Sequence, residues 1–442
     1  MMIESVKSIL YNKSGSQIPG WLSIVGLLLA CVYSFSAFIF KDIYSDYVES
    51  LFYFVVMLAF LWFGGRLRFS LYTWIAVVMV LISVISWILI SIDHPEQARS
   101  RPSPGDLVDK LLFVPLALIL GASRVRILLF WTCAMAALIL MPWVLGGGYK
   151  EIMKGVDGVR VGLGTNPMRT GLMYGTMLVG LLVMLPFYVY KIKRVWMALP
   201  LLIFFAPLIA YSGFGVFASQ TRAVFLALMV SFFVVVAIFC IYLLAKKPST
   251  QDLNWSRLKV LLVFTSFSLF SLLYFFHVPL VSMYERFDNE LKVLSESELK
   301  PDVIPETNFG LRVIYWNIGI ESIKERPIAG WDRDGGRLLL EDDGYNNNTI
   351  HNLFLEAGVR YGIFAILMIL MLFIFSYWLI VRAWRSGVMP PEIFIFSIVF
   401  IVFFLVSNMF SSNFFQDAGV YIFNIVMAGV MAYPIANYCS SK

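Results

Sequence analysis

Long apolar runs recur along almost the whole chain, and they limit its fold more than any other feature. A helix needs about 20 mostly apolar residues to cross a bilayer, because the hydrocarbon core is about 30 Å thick and each residue advances about 1.5 Å. Hydrophobic residues make up 60% of the 442-residue sequence and charged residues only 14%, whereas soluble domains average about 25% charged residues. The runs are also too long for the strands of an outer-membrane barrel. We therefore expect an all-α polytopic membrane protein and not a soluble enzyme, a disordered chain or a disulfide-rich secreted module.

The runs predict about 12 transmembrane helices. The first run follows Lys7 and Lys13 and is longer than the core of a signal peptide, so we expect it to be an uncleaved span. The fourth carries Asp109 and Lys110 in its first turn. The seventh is predicted to be interrupted near residues 212–215. The predicted spans are 21–40, 48–65, 71–92, 107–122, 125–145, 170–190, 195–211, 223–245, 258–276, 362–382, 392–411 and 418–437.

Lys and Arg are distributed unevenly between the short loops. With a cytoplasmic N-terminus, the cytoplasmic segments hold 16 of them and the short outer loops hold eight, as the positive-inside rule requires. We predict that both termini are cytoplasmic and that the long segment between spans nine and ten faces outward. The predicted organisation is nine transmembrane helices in 1–276, a large and partly helical outer loop in 277–361, and three transmembrane helices in 362–442.

The predicted outer loop is rich in acidic residues. Of the 28 acidic residues, 14 lie between His277 and Ile350. Apolar residues at helical spacing predict a loop helix that begins near Asn308 and ends at Pro327 and Gly330. A turn-rich stretch, 331–348, then leads to the tenth span. A structureless loop of this length would be unusual, so we expect the loop to be folded.

Histidine is the rarest candidate for acid–base chemistry in this sequence. There are three, His94, His277 and His351. His351 opens the motif HNLFLEAGVRYG, at the point where the outer loop meets the tenth span. Its ordinary pKa of about 6.5 suits a base near neutral pH. We predict that His351 is catalytic and that His94 and His277 are ordinary loop residues.

Arginine supplies the candidate anion-binding groups. Arg222 stands near the N-terminus of the eighth span, where the helix dipole does not favour a cation and an anionic partner would explain it. A planar guanidinium matches phosphate oxygens. Arg312, on the loop helix, would add a second cation. Arg160, Arg169 and Arg360 are weaker candidates for the same role.

The acidic motifs of the loop give little support for a metal site. Asp332 and Asp334 form a DxD pattern, which can hold a divalent metal beside a nucleotide sugar, and residues 341–343 form a second acidic patch. Neither has a His or Cys neighbour at metal-ligand spacing. P-loop, dinucleotide-binding, GxSxG and HExxH motifs are absent. We expect no metal and no cofactor, and the dispersed net charge of +6 does not argue for nucleic acid.

Several of these residues together resemble a known family, the O-antigen ligase and polymerase-like superfamily of bacterial inner membranes. The resemblance is strongest between Leu311 and Gly362 and weaker upstream. The matching residues are Arg312 and Trp316, then Pro327, Ile328, Ala329 and Gly330, then His351, Asn352, Leu355, Glu356, Gly358 and Gly362, and upstream the stretch from Arg160 to Asn166 and Pro167 and the step Ser219, Thr221 and Arg222.

The resemblance implies a glycosyltransferase that acts at the periplasmic face of the inner membrane. As a ligase, it would transfer a glycan from undecaprenyl diphosphate to a sugar hydroxyl of lipid A–core oligosaccharide, among membrane lipids. The implied reaction is a metal-independent, inverting displacement with His351 as base and with Arg222 and Arg312 stabilising the diphosphate. The expected substrate contacts are Arg160, Asn166, Arg169, Trp316, Asn352 and Arg360.

Three alternatives stay open. An O-antigen polymerase and a protein O-oligosaccharyltransferase acting on a pilin would use the same histidine and arginines. A lipid-glycan transporter or flippase would carry ionisable residues in mid-helix and paired broken helices, whereas the span centres here are almost free of charge. The ligase is favoured because one late loop carries the whole His-Asn motif.

Overall fold

The computed structural model describes residues 20–39, 45–96, 98–192, 198–246, 308–342, 344–345, 347 and 349–440, and five isolated residues between 281 and 292. Within these residues the chain is helical and contains no β-strand. Eight of the described helices are long and apolar enough to cross a membrane, and Leu51–Phe63 and Arg222–Ile238 are shorter apolar helices. The all-helical membrane class is thus confirmed, while twelve spans stays a prediction. The predicted ninth span lies outside the described residues.

The helices follow the predicted order closely. The long ones are Gly20–Ile39, Ser45–Phe63, Leu71–Asp93, Arg124–Val144, Pro167–Lys191, Leu199–Ser219, Arg222–Lys246, Leu353–Arg385, Pro391–Asn408 and Asp417–Ser440. The shorter ones are Gly105–Val108, Phe113–Leu120, Tyr149–Val156, Asn308–Glu325 and Gly335–Asp342, with 3-10 turns at Gly65–Phe69, Asp109–Leu111 and Asn413–Phe415.

The segment predicted as the fourth span, 107–122, forms short helical pieces. Gly105–Val108 and the turn Asp109–Leu111 lead into Phe113–Leu120, a helix of eight residues whose side chains are all buried. The amide of Asn424 joins the pieces, since it accepts a hydrogen bond from the Phe113 N–H at 3.0 Å and donates one to the Asp109 carbonyl at 2.8 Å. The segment 107–122 is therefore not one continuous apolar helix, because it begins with short pieces that contain Asp109 and the buried Lys110. The predicted break in the seventh span is wrong, because Leu199–Ser219 is continuous.

The described chain divides into two compact units. The first contains Met1–Ala137, Asp288–Met389 and Asn408–Lys442, and the second contains Leu138–Phe287 and Pro390–Ser407. Each unit collects segments that are far apart in sequence.

The last helix, Asp417–Ser440, is the centre of the first unit. Its apolar window is 94% buried, and it packs against Phe113–Leu120 and Leu353–Arg385. At Gly429 the missing side chain admits the ring of Trp131, whose indole N–H donates to a carbonyl of the same helix. A helix that is mostly apolar on every face is expected to be buried in the protein core, and this helix forms the core of the first unit.

In the second unit, Pro167–Lys191 packs along Leu199–Ser219. The two helices approach closely because Gly215 faces the ring of Tyr174, whose hydroxyl donates to the Leu138 carbonyl at 2.7 Å. This pair of helices holds the two upstream motifs of the predicted site.

Candidate active site

His351 lies between the turn-rich stretch 331–348 and the helix Leu353–Arg385, which we call the motif helix. Its backbone is left-handed, with φ +59°. Its Nε2 atom is 2.9 Å from the side-chain nitrogen of Asn347, and its Nδ1 atom is 3.4 Å from the hydroxyl of Thr349. An amide NH₂ group only donates, so the first contact corresponds to a neutral imidazole that accepts at Nε2.

The surroundings of His351 also favour the neutral imidazole. Burial of the ring, with a smaller contribution from the positive charge of Arg312, lowers the pKa of His351 to about 4. A neutral imidazole is the form that can take up a proton. The ring of Tyr315 lies beside it, with centroids 6.1 Å apart.

Asn352 fixes the start of the motif helix. Its side-chain oxygen accepts hydrogen bonds from the N–H groups of Phe354 at 3.0 Å and Leu355 at 3.2 Å, which satisfies donors that the first turn of a helix leaves without partners. Its side-chain nitrogen donates to the Met409 carbonyl at 3.0 Å. The residue after His351 is therefore tied both to its own helix and to the loop before Asp417.

A buried chain of charged side chains runs from the residue before His351. Glu356, with no exposed surface, accepts from the Ile350 N–H at 2.7 Å and from Nε of Arg360 at 2.7 Å. The guanidinium of Arg360 also donates to Asp106 at 3.0 Å, as does the hydroxyl of Tyr361 at 2.9 Å. We call Asp106, Arg360 and Glu356 the buried ion chain. It gives each buried charge a hydrogen-bonded partner of opposite sign, which offsets the cost of removing it from water.

Lys110 extends this arrangement at Asp106. It is 1% exposed, donates to the Asp106 carbonyl, and lies 4.3 Å from the ring centroid of Phe415. Burial outweighs the nearby carboxylates and lowers the pKa of Lys110 to about 8. Burial alone would raise the pKa of Asp106, but Arg360, Lys110 and Arg333 outweigh it and hold that pKa below its usual value.

Gly330 and Gly362 allow the Pro327–Gly330 run to lie in contact with the motif helix. Gly362 has φ +73° and interrupts the motif helix, and the next N–H, of Ile363, donates to the Pro327 carbonyl at 2.7 Å. Gly330 has φ +65°, and a side chain there would collide with the backbone at Val359 and Arg360. The run therefore packs directly against the broken turn of the motif helix.

The loop helix, Asn308–Glu325, contributes the other predicted residues of this unit. Tyr315 lies in a small core with Leu340, Ile350 and Val359. The ring of the next residue, Trp316, lies 6.1 Å from that of Phe410. Arg312 is half-buried and close enough to His351 to influence its pKa. The structure thus brings together five of the predicted residues: Arg312, Trp316, His351, Asn352 and Arg360.

The remaining predicted residues lie in the second unit, where the two upstream motifs meet. Nε of Arg160 donates to the Ser219 carbonyl at 3.1 Å, and the side chain of Gln220 donates to the Gly158 carbonyl at 2.6 Å. The hydroxyl of Thr221 donates to the Pro167 carbonyl at 3.1 Å. These bonds hold the stretch from Arg160 to Pro167 against the turn that ends in Arg222.

Asn166, Arg169 and Arg222 occupy helix starts in this second unit. Asn166 caps Pro167–Lys191, since its side-chain oxygen accepts from the Met168 N–H at 2.9 Å. Arg169 lies in the first turn of the same helix, and Arg222 is the first residue of Arg222–Lys246. Both arginines are half-buried, and Arg160 is exposed.

Asp334 and Glu341 pair with arginines, whereas the bond of Asp332 is made by its backbone N–H. The N–H of Asp332 donates to the Ser86 hydroxyl at 3.0 Å, and the carboxylate of Asp334 is 3.7 Å from Nε of Arg99. Glu341 pairs with Arg337 at 2.9 Å. Among the described residues, no three His, Cys, Asp or Glu side chains cluster closely enough to hold a metal ion. Of the other histidines, His94 lies beside Trp331 at 5.7 Å.

Comparison with protein-family models gives a match for the part of the chain that contains His351. The model described as O-antigen ligase matches residues 207–370. The matched segment is similar to the O-antigen ligase superfamily, which confirms the family resemblance read from the motifs. The match includes Arg222, Arg312 and His351 and begins after Arg160, Asn166 and Arg169. A comparison with curated proteins finds no match.

Sequence reasoning missed the residues that support this motif. The fourth predicted span, 107–122, includes Lys110 but not Asp106, and the separation of 254 residues between Asp106 and Arg360 hides their contact. Glu356 was noted only as part of the motif. One signal was available, because Glu356 and Arg360 are four residues apart, the spacing at which opposite charges meet on a helix.

Proposed function

We propose that the protein is an O-antigen ligase of the bacterial inner membrane, which transfers a glycan from undecaprenyl diphosphate to a sugar hydroxyl of lipid A–core oligosaccharide. The observation that carries the proposal is the neutral, partly buried imidazole of His351, held beside the cation Arg312 within the segment that matches the family. A base next to a cation is what this reaction needs, because one substrate loses a proton while the other develops negative charge.

In the proposed reaction the acceptor hydroxyl gives its proton to His351 as its oxygen attacks the anomeric carbon of the donor glycan. The bond between that carbon and the diphosphate oxygen breaks, and its electron pair leaves with undecaprenyl diphosphate. A single displacement of this kind inverts the anomeric centre. Arg312 stabilises the departing negative charge, and we assign the same role to Arg222 from its sequence motif.

The low pKa of His351 fits this scheme because the donor itself is an anion. A nearby negative charge favours the protonated form of an imidazole and raises its pKa. Binding of the diphosphate would therefore offset the influence of Arg312 and make His351 a stronger base in the substrate complex. The free protein keeps the imidazole neutral, and the bound donor prepares it to receive the proton.

The predicted substrate contacts divide into two groups in this proposal. Arg160, Arg169 and Trp316 retain roles in substrate binding. Asn166, Asn352 and Arg360 act by holding the backbone and the neighbouring side chains in place through the hydrogen bonds that their side chains form.

The proposal keeps the predicted topology. Residues 277–361 form the periplasmic loop, residues 1–276 and 362–442 form the membrane parts on either side of it, and both termini are cytoplasmic. His351 then lies at the outer surface of the inner membrane, where both lipid-linked substrates are within reach.

An acceptor-swap experiment tests the proposed function. The purified protein is reconstituted in vesicles with an undecaprenyl-diphosphate-linked glycan, and each vesicle set also contains lipid A–core, further lipid-linked O-units, or a pilin. Product on lipid A–core alone supports the ligase. Elongation of the lipid-linked glycan would refute the ligase and indicate the polymerase. A glycosylated pilin would indicate the protein O-oligosaccharyltransferase. Movement of the donor across the bilayer without a new bond would indicate the transporter.

A further inference from the structure

A polar cavity of about 590 Å³ opens in the first unit, close to the buried ion chain and separate from the imidazole of His351. Three stretches enclose it: residues 101–110, Arg333, and residues 415–421, with Tyr53 completing the wall. Small-molecule sites have volumes in this range. Of its lining residues, only Arg333 lies within the segment that matches the family model.

The charges that line the polar cavity are balanced. Three side chains are basic and three are acidic: Arg101, Lys110, Arg333, Asp106, Asp109 and Asp417. A phosphate group would gain from the three cations but would be repelled by the three carboxylates. The balance therefore favours a neutral ligand over an anion.

The cations nearest the cavity wall already have partners. Lys110 is committed to the Asp106 carbonyl and to the face of Phe415, and Nε of Arg333 lies 3.8 Å from the Asp106 carboxylate. An incoming phosphate would have to compete with these contacts. A hydroxyl group can join them, because it both donates to a carboxylate and accepts from a guanidinium.

The cavity also has an apolar surface. Phe415 and Tyr421 are each 8% exposed, and Tyr53 is half-buried. Aromatic rings beside groups that only accept and groups that only donate match a molecule with an apolar face and a rim of hydroxyls. A sugar ring has this composition.

Two loops join the cavity to the proposed catalytic residue. Residues 331–350 supply Arg333 and lead directly to His351. The stretch from Met409 to Asp417 supplies Phe415, and its Met409 carbonyl accepts from Asn352. The buried ion chain adds a third link, since Asp106 lines the cavity and Glu356 holds the N–H of Ile350.

We propose that the polar cavity binds a neutral sugar residue of a glycan substrate. The assignment rests on the proposed function for its biological meaning, because a transferase that joins two glycans must hold a sugar close to its base. Arg101 and Asp109 contact the sugar hydroxyls, and Tyr421 packs against its apolar face.

Sugar binding is measured on the full-length protein in detergent, without any transfer reaction. Glucose, galactose and N-acetylglucosamine are each titrated at millimolar concentrations, with inorganic pyrophosphate as the anionic probe, and tryptophan fluorescence and melting temperature are followed. We expect at least one sugar to bind. Arg101→Gln and Asp109→Asn, both at exposed positions, should weaken it by about tenfold or more, the usual effect of losing a hydrogen bond to a charged group.

The matched controls are Arg337→Gln and Glu341→Gln, which alter an exposed ion pair outside the cavity and should leave sugar binding unchanged. Pyrophosphate binding that is lost in Arg101→Gln, or the absence of any sugar effect that depends on Arg101 and Asp109, would overturn the cavity assignment. Sugar binding in a protein that transfers no glycan would overturn the proposed function and leave the cavity assignment standing.

Discussion

Glu356 accepts a hydrogen bond of 2.7 Å from the backbone N–H of Ile350, the residue immediately before His351. The left-handed backbone at His351 costs roughly 1–2 kcal/mol for a residue with a side chain, so it persists only where its surroundings hold it. Glu356 on one side and the capping residue Asn352 on the other provide that support. The motif thus contains its proposed base together with the groups that fix the backbone of the base.

Replacement of the proposed base is the most direct test of the chemistry. His351→Ala should lower the transfer rate by about 10² to 10⁴, the usual contribution of a general base, and added imidazole should restore part of it. The measurement is ligation in the defined donor–acceptor assay. His94→Ala serves as the matched control and should keep wild-type activity. Near-normal turnover by His351→Ala would refute the base assignment.

The buried ion chain should contribute more to stability than an exposed pair of the same spacing. Loss of one partner from a buried pair typically costs about 3–5 kcal/mol, so Glu356→Gln should strongly lower the melting temperature. Arg360→Met should cost more, because it deprives both Glu356 and Asp106 of a partner.

Arg337→Met is the matched control, since its partner is also four residues away but both side chains are more than 40% exposed. Its cost should stay at or below about 0.5 kcal/mol. Equal melting temperatures for this variant and Arg360→Met would show that the buried ion chain contributes no more to stability than an exposed ion pair.

The titration of His351 gives a pH-dependent prediction. Its pKa is about 4 in the folded protein and about 6.5 in an unfolded chain, so the unfolded state takes up the proton first as the pH falls. The stability contributed by the neutral ring is therefore complete above about pH 6.5, declines between about 6.5 and 4, and changes no further below that.

Histidine ring resonances followed by NMR should show a midpoint for His351 well below 6.5. Arg312→Gln should raise that pKa, but only partly, because burial contributes more than the charge of Arg312. Arg337→Gln should leave it unchanged, because Arg337 is not among the charges that influence the pKa of His351. An ordinary midpoint in the wild-type protein would contradict the buried, neutral imidazole.

Gly362 and Gly387 have nearly the same backbone conformation, so their variants can distinguish the cost of a left-handed backbone from the cost of a steric clash. Gly387 has φ +72° and open space around it, whereas a side chain at Gly362, φ +73°, would run into the Ile328 and Pro327 carbonyls. Gly387→Ala should cost roughly 1–2 kcal/mol, the cost of a left-handed residue. Gly362→Ala should cost clearly more and should also lower activity. Equal losses in thermal unfolding would mean that the contact with Pro327 is loose.

Chelation tests the expected metal independence. Transfer should proceed at the wild-type rate in EDTA, because the proposed reaction relies on Arg222 and Arg312 and not on a divalent ion to stabilise the diphosphate. Activity that is lost in EDTA and restored by added magnesium or manganese would return Asp332 and Asp334 to consideration as ligands.

The motif residues were readable in the sequence because their chemistry is local. The start of the loop helix near Asn308, the helix around Arg312 and the turn at Pro327 each depend on neighbours within a few residues. The supporting residues were not readable, since the contact between Asp106 and Arg360 depends on the tertiary fold. Hydropathy also misled at Asp109 and Lys110, where an apolar stretch forms a buried short helix and not a full span. Pattern alone does not distinguish a helix buried in protein from one buried in lipid.

The break at Gly362 divides the motif helix into a short first part, which follows His351, and a long apolar part. A membrane-spanning helix changes its tilt when the thickness of the bilayer changes, and a continuous helix would carry its first residues along with it. Here residues 353–361 are fastened to Met409 through Asn352 and to Trp331 through Val359, while a single non-helical residue connects them to the apolar part. That joint can absorb the tilt, so the proposed base keeps its position as the surrounding lipid varies.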